Sequence, residues 1–352
     1  MLQRPHVQKL IERVRPALPL RAAFVFPCDV DALQLALSGA FAGYLAPRLV
    51  GPAERMREAA AAAGLNLSGA AIVDTGPDAT AAIARALQLA RDGEVDGLIR
   101  GSVTSEALLA AVAMPESGLR TATRLSHATV LDLPGLDRPL VLADAQLNVS
   151  PTLAAKRDIL LNTLALARAM GIATPRVGLL AAVDRPSQSF VSTTDAVALR
   201  SMSLQGLFGA AVFEGPLTPG RALARAVPAR EAARSAARAA EFPADVLLAP
   251  GMEAAVMLAR SLPALTGGLA TGLVLGARVP IVLPAHDDTL ESRMAACVLA
   301  ALMARAGGAA ADAASDARAG GAATVPPAGA VPAAAAPARP ALPGSDTPAL
   351  AA

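Results

Sequence analysis

The 352-residue sequence has no tryptophan, one tyrosine and seven phenylalanines. A chain so poor in rings lacks the platforms on which nucleic-acid bases stack. Lysine occurs only at Lys9 and Lys156, and the formal net charge is +2. No strong field therefore draws the chain to nucleic acid. The two cysteines, Cys28 and Cys297, make no disulfide framework. His6, His127 and His286 are scattered without metal-ligand spacing, so no metal site is expected. Apolar runs break before the roughly 18 residues of a membrane span, so no membrane partner is expected either. The stretch 263–285 comes nearest, but Arg278, Pro280 and Pro284 divide it into two buried elements. The N-terminal MLQRPHVQKLIERVRPAL is charged and has no apolar signal core, which makes the cytoplasm the expected location.

What is present is alanine-rich and periodic. The hydrophobic fraction is 54%, and the length suits a large domain or two. Short apolar runs predict strands at Ala22–Phe26, Pro47–Val50, Ala71–Asp74, Gly97–Arg100, Ala128–Asp132, Pro139–Ala143, Arg176–Ala181, Gly209–Phe213, Val246–Ala249, Gly272–Leu275 and Pro280–Leu283. Helical spacing predicts helices at Asp29–Ala42, Ala53–Ala63, Asp78–Asp92, Ser105–Ala113, Thr152–Met170, Thr194–Met202, Ala222–Ala240, Glu253–Leu262 and Thr289–Ala306. Asp29, Asp78, Thr152 and Thr194 stand where caps belong. The alternation argues an α/β fold with a mostly parallel sheet covered on both faces. From Gly307 the composition turns to Ala, Pro and Gly, and residues 307–352 read as a disordered tail.

Polar residues gather in a few places. In GLRTATRLSHA (118–128), Arg120, Thr121, Arg124, Ser126 and His127 share one loop and strand entry. Guanidinium forks and hydroxyls suit phosphate or carboxylate, although a surface ion-pair loop has the same composition. Ser126 and His127 are adjacent in a strand and point to opposite faces, so they do not form a catalytic pair. In ADAQLNVSPTLAAKRDIL (143–160), Asp144 and Asn148 lie beyond a strand's carboxyl end, with Lys156 one turn into the next helix. FEGPLTPGRALA (213–224) reads as a strand-to-helix turn. The loop 285–288 holds Ala285, His286, Asp287 and Asp288 ahead of a helix.

These stretches, in this order, resemble the phosphate acetyltransferase and phosphate butyryltransferase family. The matching blocks are VDGLIRGSVTSEALL (95–109), GLRTATRLSHATVLDLPG (118–135), PLVLADAQLNVSPTLAAKRDILLNTLALARAMGI (139–172), FEGPL (213–217), ADVLLAPGMEAAVMLARSL (244–262) and GLVLGARVPIVLP (272–284). The resemblance implies two α/β domains with mostly parallel sheets and a cleft between them, like isocitrate and isopropylmalate dehydrogenases. On that reading residues 1–143 with 280–306 form one domain and 144–279 the other. It implies a homodimer and the reaction acyl-CoA + phosphate = acyl phosphate + CoA, acetyl or butyryl, with coenzyme A as substrate and no metal or redox cofactor.

The resemblance also implies roles. Arg120, Thr121, Arg124, Ser126 and His127 stand in the family's Gly-Leu-Arg-Thr and Ser-His signature. Asp144, Asn148, Pro151 and Lys156 stand in its Asp-Ala…Asn…Pro…Lys block. The family commonly has Ser-Arg followed by an acid after the VPI strand. Here those places hold Ala285, His286 and Asp288, which makes His286 and Asp288 the catalytic candidates. Gly220 stands where the family often has Asp, and Ala255 and Val256 where it usually has Gly-Asn. These departures leave open a binding or regulatory protein for acyl-CoA and phosphate on the same scaffold. An oxidoreductase of the dehydrogenase-like fold would need a divalent metal, for which Asp144, Asp287 and Asp288 are the candidates.

Overall fold

The computed structural model describes residues 5–14, 19–223 and 242–320. Its strands are β1 (Leu20–Val25), β2 (Leu45–Gly51), β3 (Ala71–Asp74), β4 (Gly97–Arg100), β5 (Ser126–Asp132), β6 (Leu140–Ala143), β7 (Arg176–Leu180), β8 (Val212–Leu217), β9 (Val246–Leu248), β10 (Leu269–Leu275) and β11 (Ile281–Val282). Its helices are α1 (Pro5–Val14), α2 (Val30–Phe41), α3 (Ala53–Ala62), α4 (Ala79–Arg91), α5 (Ser105–Ala113), α6 (Leu153–Ala169), α7 (Val191–Leu204), α8 (Pro219–Ala222), α9 (Met252–Thr266) and α10 (Leu290–Gly320). The fold class is α/β, as the alternation requires.

All eleven strands form one sheet in the order β3-β2-β1-β4-β11-β10-β5-β6-β9-β7-β8. β3, β2, β1, β4 and β11 are parallel. β6, β9, β7 and β8 form a second parallel block. β10 and β5 join the blocks through antiparallel pairings, so the two blocks run in opposite directions. β10 meets β11 at a single rung, Val274 opposite Ile281, but pairs with β5 along its whole length. The weak seam therefore falls between β11 and β10. Strands β5 and β6 lie on the far side of it.

Alternate strand residues go to opposite faces. Ala22 and Phe24 of β1, Ala128 and Val130 of β5 and Leu273 of β10 pack with α2, α3, α6, α7 and α10. Ala23, Val25 and Val274 pack with α4 and α5, and Leu131 and Leu142 with α9. The caps at Asp29, Asp78 and Thr152 accept backbone N–H groups as their residue types dictate.

Four elements differ from expectation. β8 begins at Val212, because Gly209 sits in a left-handed turn at φ +65°. It runs through Gly215 and Pro216, which an edge strand tolerates; a Cβ on Gly215 would lie 2.5 Å from Leu179 Cβ. Helix α7 starts at Val191 without a side-chain cap, and Thr194 Oγ1 donates back to Val191 O at 2.9 Å. Helix α1 was not signalled; it packs through Val7 and Leu10, and Val7 N–H donates to Asp132 Oδ2 at 3.0 Å. Helix α10 continues beyond Ala306 to Gly320, into the expected tail. Residues 321–352, and most of the helix expected at Ala222–Ala240, lie outside the described residues. No helix among the described residues is long and apolar enough to cross a membrane.

Candidate functional site

Where β11 and β10 part, a cleft of about 150 Å³ opens. One wall is the end of β11 and the loop after it, from Val282 to Ala285 with Asp288. His127 and Thr129 of β5 and Ala270, Thr271 and Gly272 of β10 also line the cleft, with Ala145 and Gln146. Ser292 and Arg293 of α10 complete the lining, and Val256 and Ala259 give it an apolar side. Thr271 Oγ1 donates to Ser292 O at 2.8 Å and Ser292 Oγ to Ala270 O at 2.6 Å, which locks the start of α10 to β10.

Two titratable groups line this cleft with opposite perturbations. His127 is 5% exposed. Burial pushes its pKa down to about 4, against the smaller attraction of Asp144. The ring is therefore neutral at pH 7. Its Nδ1 lies 3.3 Å from Thr129 Oγ1. With that hydroxyl donating, Nε2 carries the hydrogen. A Cβ on Gly272 would lie 2.6 Å from the ring, so glycine is what lets the imidazole lie against β10. Asp288 is half-buried, and burial raises its pKa against the backbone N–H of Ala285, which donates to Oδ2 at 2.7 Å.

The 118–128 loop forms a second polar centre. Thr121 Oγ1 donates to Gly276 O at 2.7 Å. Arg124 has its Nε 3.8 Å from Asp158 and donates from Nη1 to Asn148 Oδ1 at 3.4 Å. Arg120, Thr121, Thr123 and Arg124 line a shared hollow with Asp158 and Gly276. Asp144 is buried and accepts from Gln146 N–H, Leu147 N–H and Asn148 Nδ2 at 2.9, 3.1 and 2.6 Å. It thereby fixes the 144–148 loop, which runs from Arg124's partner Asn148 to Gln146 in the cleft.

The expected site residues thus fall into groups. His127 and Asp288 share the cleft; Arg120, Thr121 and Arg124 share the neighbouring hollow, with Asp144 and Asn148 bridging the two. Ser126 faces away from His127, and its Oγ accepts from Asn162 Nδ2 at 2.8 Å. Lys156 is also apart: it is buried and paired with Asp195 at 2.7 Å against α7. His286 is exposed and lines not the cleft but an adjoining crevice, with Arg100, Ser102, Asp29 and Arg293. Asp287 is held at the rim by Arg260 at 2.5 Å. No group of three His, Cys, Asp or Glu side chains among the described residues is placed to hold a metal ion. Sequence reading missed Arg100 and Arg293. The signal for Arg293 was a cation beside the apolar stripe of α10, eight residues after Ala285.

The profile of the phosphate acetyl/butaryl transferase family matches residues 69–301. A phosphate acetyltransferase of Rhizobium meliloti is 40% identical over 300 residues, 84% of this chain and 92% of that protein. A phosphate butyryltransferase of Clostridium beijerinckii is 33% identical over 258 residues, 73% of this chain and 83% of that protein. The crystal structure of a branched-chain phosphotransacylase from Enterococcus faecalis V583 superposes with a TM-score of 0.68 at 21% identity, covering 81% of this chain and 99% of that one. The family profile and the identity over most of the chain agree with the fold: the chain belongs to the phosphate acetyl/butaryl transferase family.

Proposed function

We propose that the protein is a phosphate acyltransferase that converts acyl-CoA and phosphate into acyl phosphate and CoA, with short acyl groups such as acetyl or butyryl. The observation that carries this reading at the site is that one cleft is lined by both Asp288, a carboxyl whose pKa burial raises, and the buried, neutral His127. A phosphate oxygen attacks the thioester carbonyl carbon, and the carbonyl oxygen takes the negative charge. The His127 Nε2–H donates to that oxygen. The C–S bond then breaks and sulfur leaves with its electron pair. The proton that hydrogen phosphate gives up ends on sulfur by way of the Asp288 carboxyl group. A carboxyl whose pKa is raised by burial is suited to that relay.

Arg120 and Arg124 pair with the phosphates of CoA, and the 144–148 loop guides the acyl arm toward the cleft. Lys156 and Ser126 act through packing, since each is already committed to a partner within the fold, Asp195 and Asn162. The apolar side at Val256 and Ala259 receives the acyl chain. We further propose a homodimer, which rests on the family resemblance and is checked by light scattering, and a cytoplasmic location, which is checked by cell fractionation.

The test is release of CoA from acetyl-, propionyl- and butyryl-CoA, with and without phosphate, followed by a thiol reagent. Phosphate-dependent release supports the reading, and the ranking gives the chain length. Binding of acyl-CoA without release replaces it with a non-catalytic binding protein.

A further inference from the structure

The crevice that holds His286 adjoins the acyl-transfer cleft through Pro284, Ala285 and Arg293 and lies at the carboxyl ends of β1, β4 and β11. Its lining comes from the loops after all three strands: Asp29 after β1, Arg100 and Ser102 around the end of β4, and Pro284 to His286 after β11. Helix α2 leaves β1 to pack on one face of the sheet, and α5 leaves β4 to pack on the other. A point where successive crossovers part to opposite faces is where an open α/β sheet takes its ligand.

Two guanidinium groups meet there. Arg293 is 7% exposed. Its Nη2 donates to Asp31 Oδ2 at 2.8 Å, Ala285 O at 3.2 Å and His286 O at 3.4 Å. Arg100 donates from Nη1 to Gly101 O at 3.1 Å and Val103 O at 2.9 Å, and from Nη2 to Pro284 O. Both Nε atoms are buried and have no partner among the described residues. A buried N–H on a charged group without an acceptor is costly, and an oxyanion is the acceptor that removes the cost. The carboxylates nearby are already engaged. Asp29 caps α2 through Ala32 N–H and accepts from Ser102 Oγ at 2.6 Å. Asp31 is paired with Arg293 and is 56% exposed at its side chain.

We propose that this crevice is the seat of the phosphate co-substrate, with Arg100 and Arg293 supplying its N–H donors. The proposal rests on the acyltransferase reading. Arg293 lines both the crevice and the cleft that contains Asp288. Phosphate held by Arg293 therefore borders the thioester carbonyl, and the guanidinium pair serves where the loop itself presents Ala285 and His286. Asp31 is a competitor: its carboxylate occupies the Arg293 Nη2 that phosphate would use.

The test is steady-state kinetics of the full chain with butyryl-CoA and inorganic phosphate, together with phosphorus NMR line broadening of inorganic phosphate by the protein. Arg100→Lys and Arg293→Lys should raise the KM for phosphate about tenfold or more, as loss of a charge-assisted hydrogen bond does. The KM for butyryl-CoA should stay within about twofold on the same scale. Asp31→Asn should lower the phosphate KM about threefold, the size of a surface charge effect. If Arg293→Lys fails to fold, as its melting curve would show, Arg100→Lys and Asp31→Asn carry the test. An active wild type with unchanged phosphate KM in those two variants overturns the subsite and leaves the acyltransferase reading standing. An inactive wild type overturns the acyltransferase reading. Phosphate broadening that Arg100→Lys abolishes then supports the anion site by itself, and absence of broadening overturns it.

Discussion

Asp288 and His127 carry opposite consequences of the same burial. For Asp288, burial raises the folded-state pKa above the ordinary 3.8. Its contribution to stability is then full below 3.8 and is lost as pH rises through the folded value. At any pH above the folded value the ionised carboxylate costs the fold stability. Asp288→Asn should therefore lower kcat by about 100-fold or more while its melting temperature at pH 7 is no lower than that of the wild type. Any advantage should vanish below pH 3.8. A variant with full activity removes Asp288 from the mechanism. For His127 the sign reverses: its pKa falls from 6.5 to about 4. Stability is fully present above pH 6.5 and is lost as pH falls toward 4, because the unfolded chain takes up the proton first. His127→Gln should flatten the stability profile in that window, as denaturant titrations at a series of pH values would show. The side chains of Arg120 and Arg124 do no core packing, so Arg120→Ala and Arg124→Ala should weaken CoA binding about tenfold without lowering the melting temperature. Unchanged affinity by calorimetry would sink that assignment. The residue types at these places were legible in the sequence. Their partners were not, because Asp158 and Asn148 reach Arg124 only through the fold.

At the scale of elements, short-range chemistry read well wherever it was local. Asp29, Asp78 and Thr152 cap their helices because a short oxygen-bearing side chain before an apolar stripe has little else to do. The Gly-Pro pair in β8 was misread because its meaning depends on edge position, which only the sheet supplies. Arg100 illustrates the same limit: it ends a strand and reads as a surface cation, yet its guanidinium ties three loop carbonyls together. The turn after β10 joins the arginine loop to the seam. Gly276 sits at φ +89°, and a Cβ there would lie 2.2 Å from Arg124 O. Gly276→Ala should thus cost at least about 2 kcal/mol, read as a lowered denaturant midpoint. The same variant should also weaken CoA binding, because the clash falls on the loop that carries Arg120 and Arg124. A variant as stable as the wild type would show that the loop yields freely and is not held by this turn.

For the molecule as a whole, the order of strands in space was the part the sequence could not show. Eleven apolar runs announce eleven strands, but nothing local says that β10 lies between β11 and β5 or that the two parallel blocks run in opposite directions. That arrangement separates the work. The crevice of Arg100 and Arg293 belongs to the β1-β4-β11 block, the loop of Arg120 and Arg124 leads into β5, and a single rung at Val274 and Ile281 joins the two sides. Ligands should therefore leave different footprints in hydrogen exchange. Phosphate alone should protect backbone amides around residues 26–32, 99–104 and 284–293. CoA alone should protect 118–128 and 144–149. A one-rung seam opens more readily than a continuous ladder, so the amides of Gly272, Thr271 and Val282 should slow most when both ligands are present. At a hundredfold excess over each Kd, either ligand should also stabilise the fold by about 2.7 kcal/mol. Identical footprints for phosphate and CoA would place both on one side of the seam and contradict the division between the blocks. Protection confined to the two loops, with the seam still exchanging when both ligands are bound, would mean that catalysis does not require the two blocks to be drawn together.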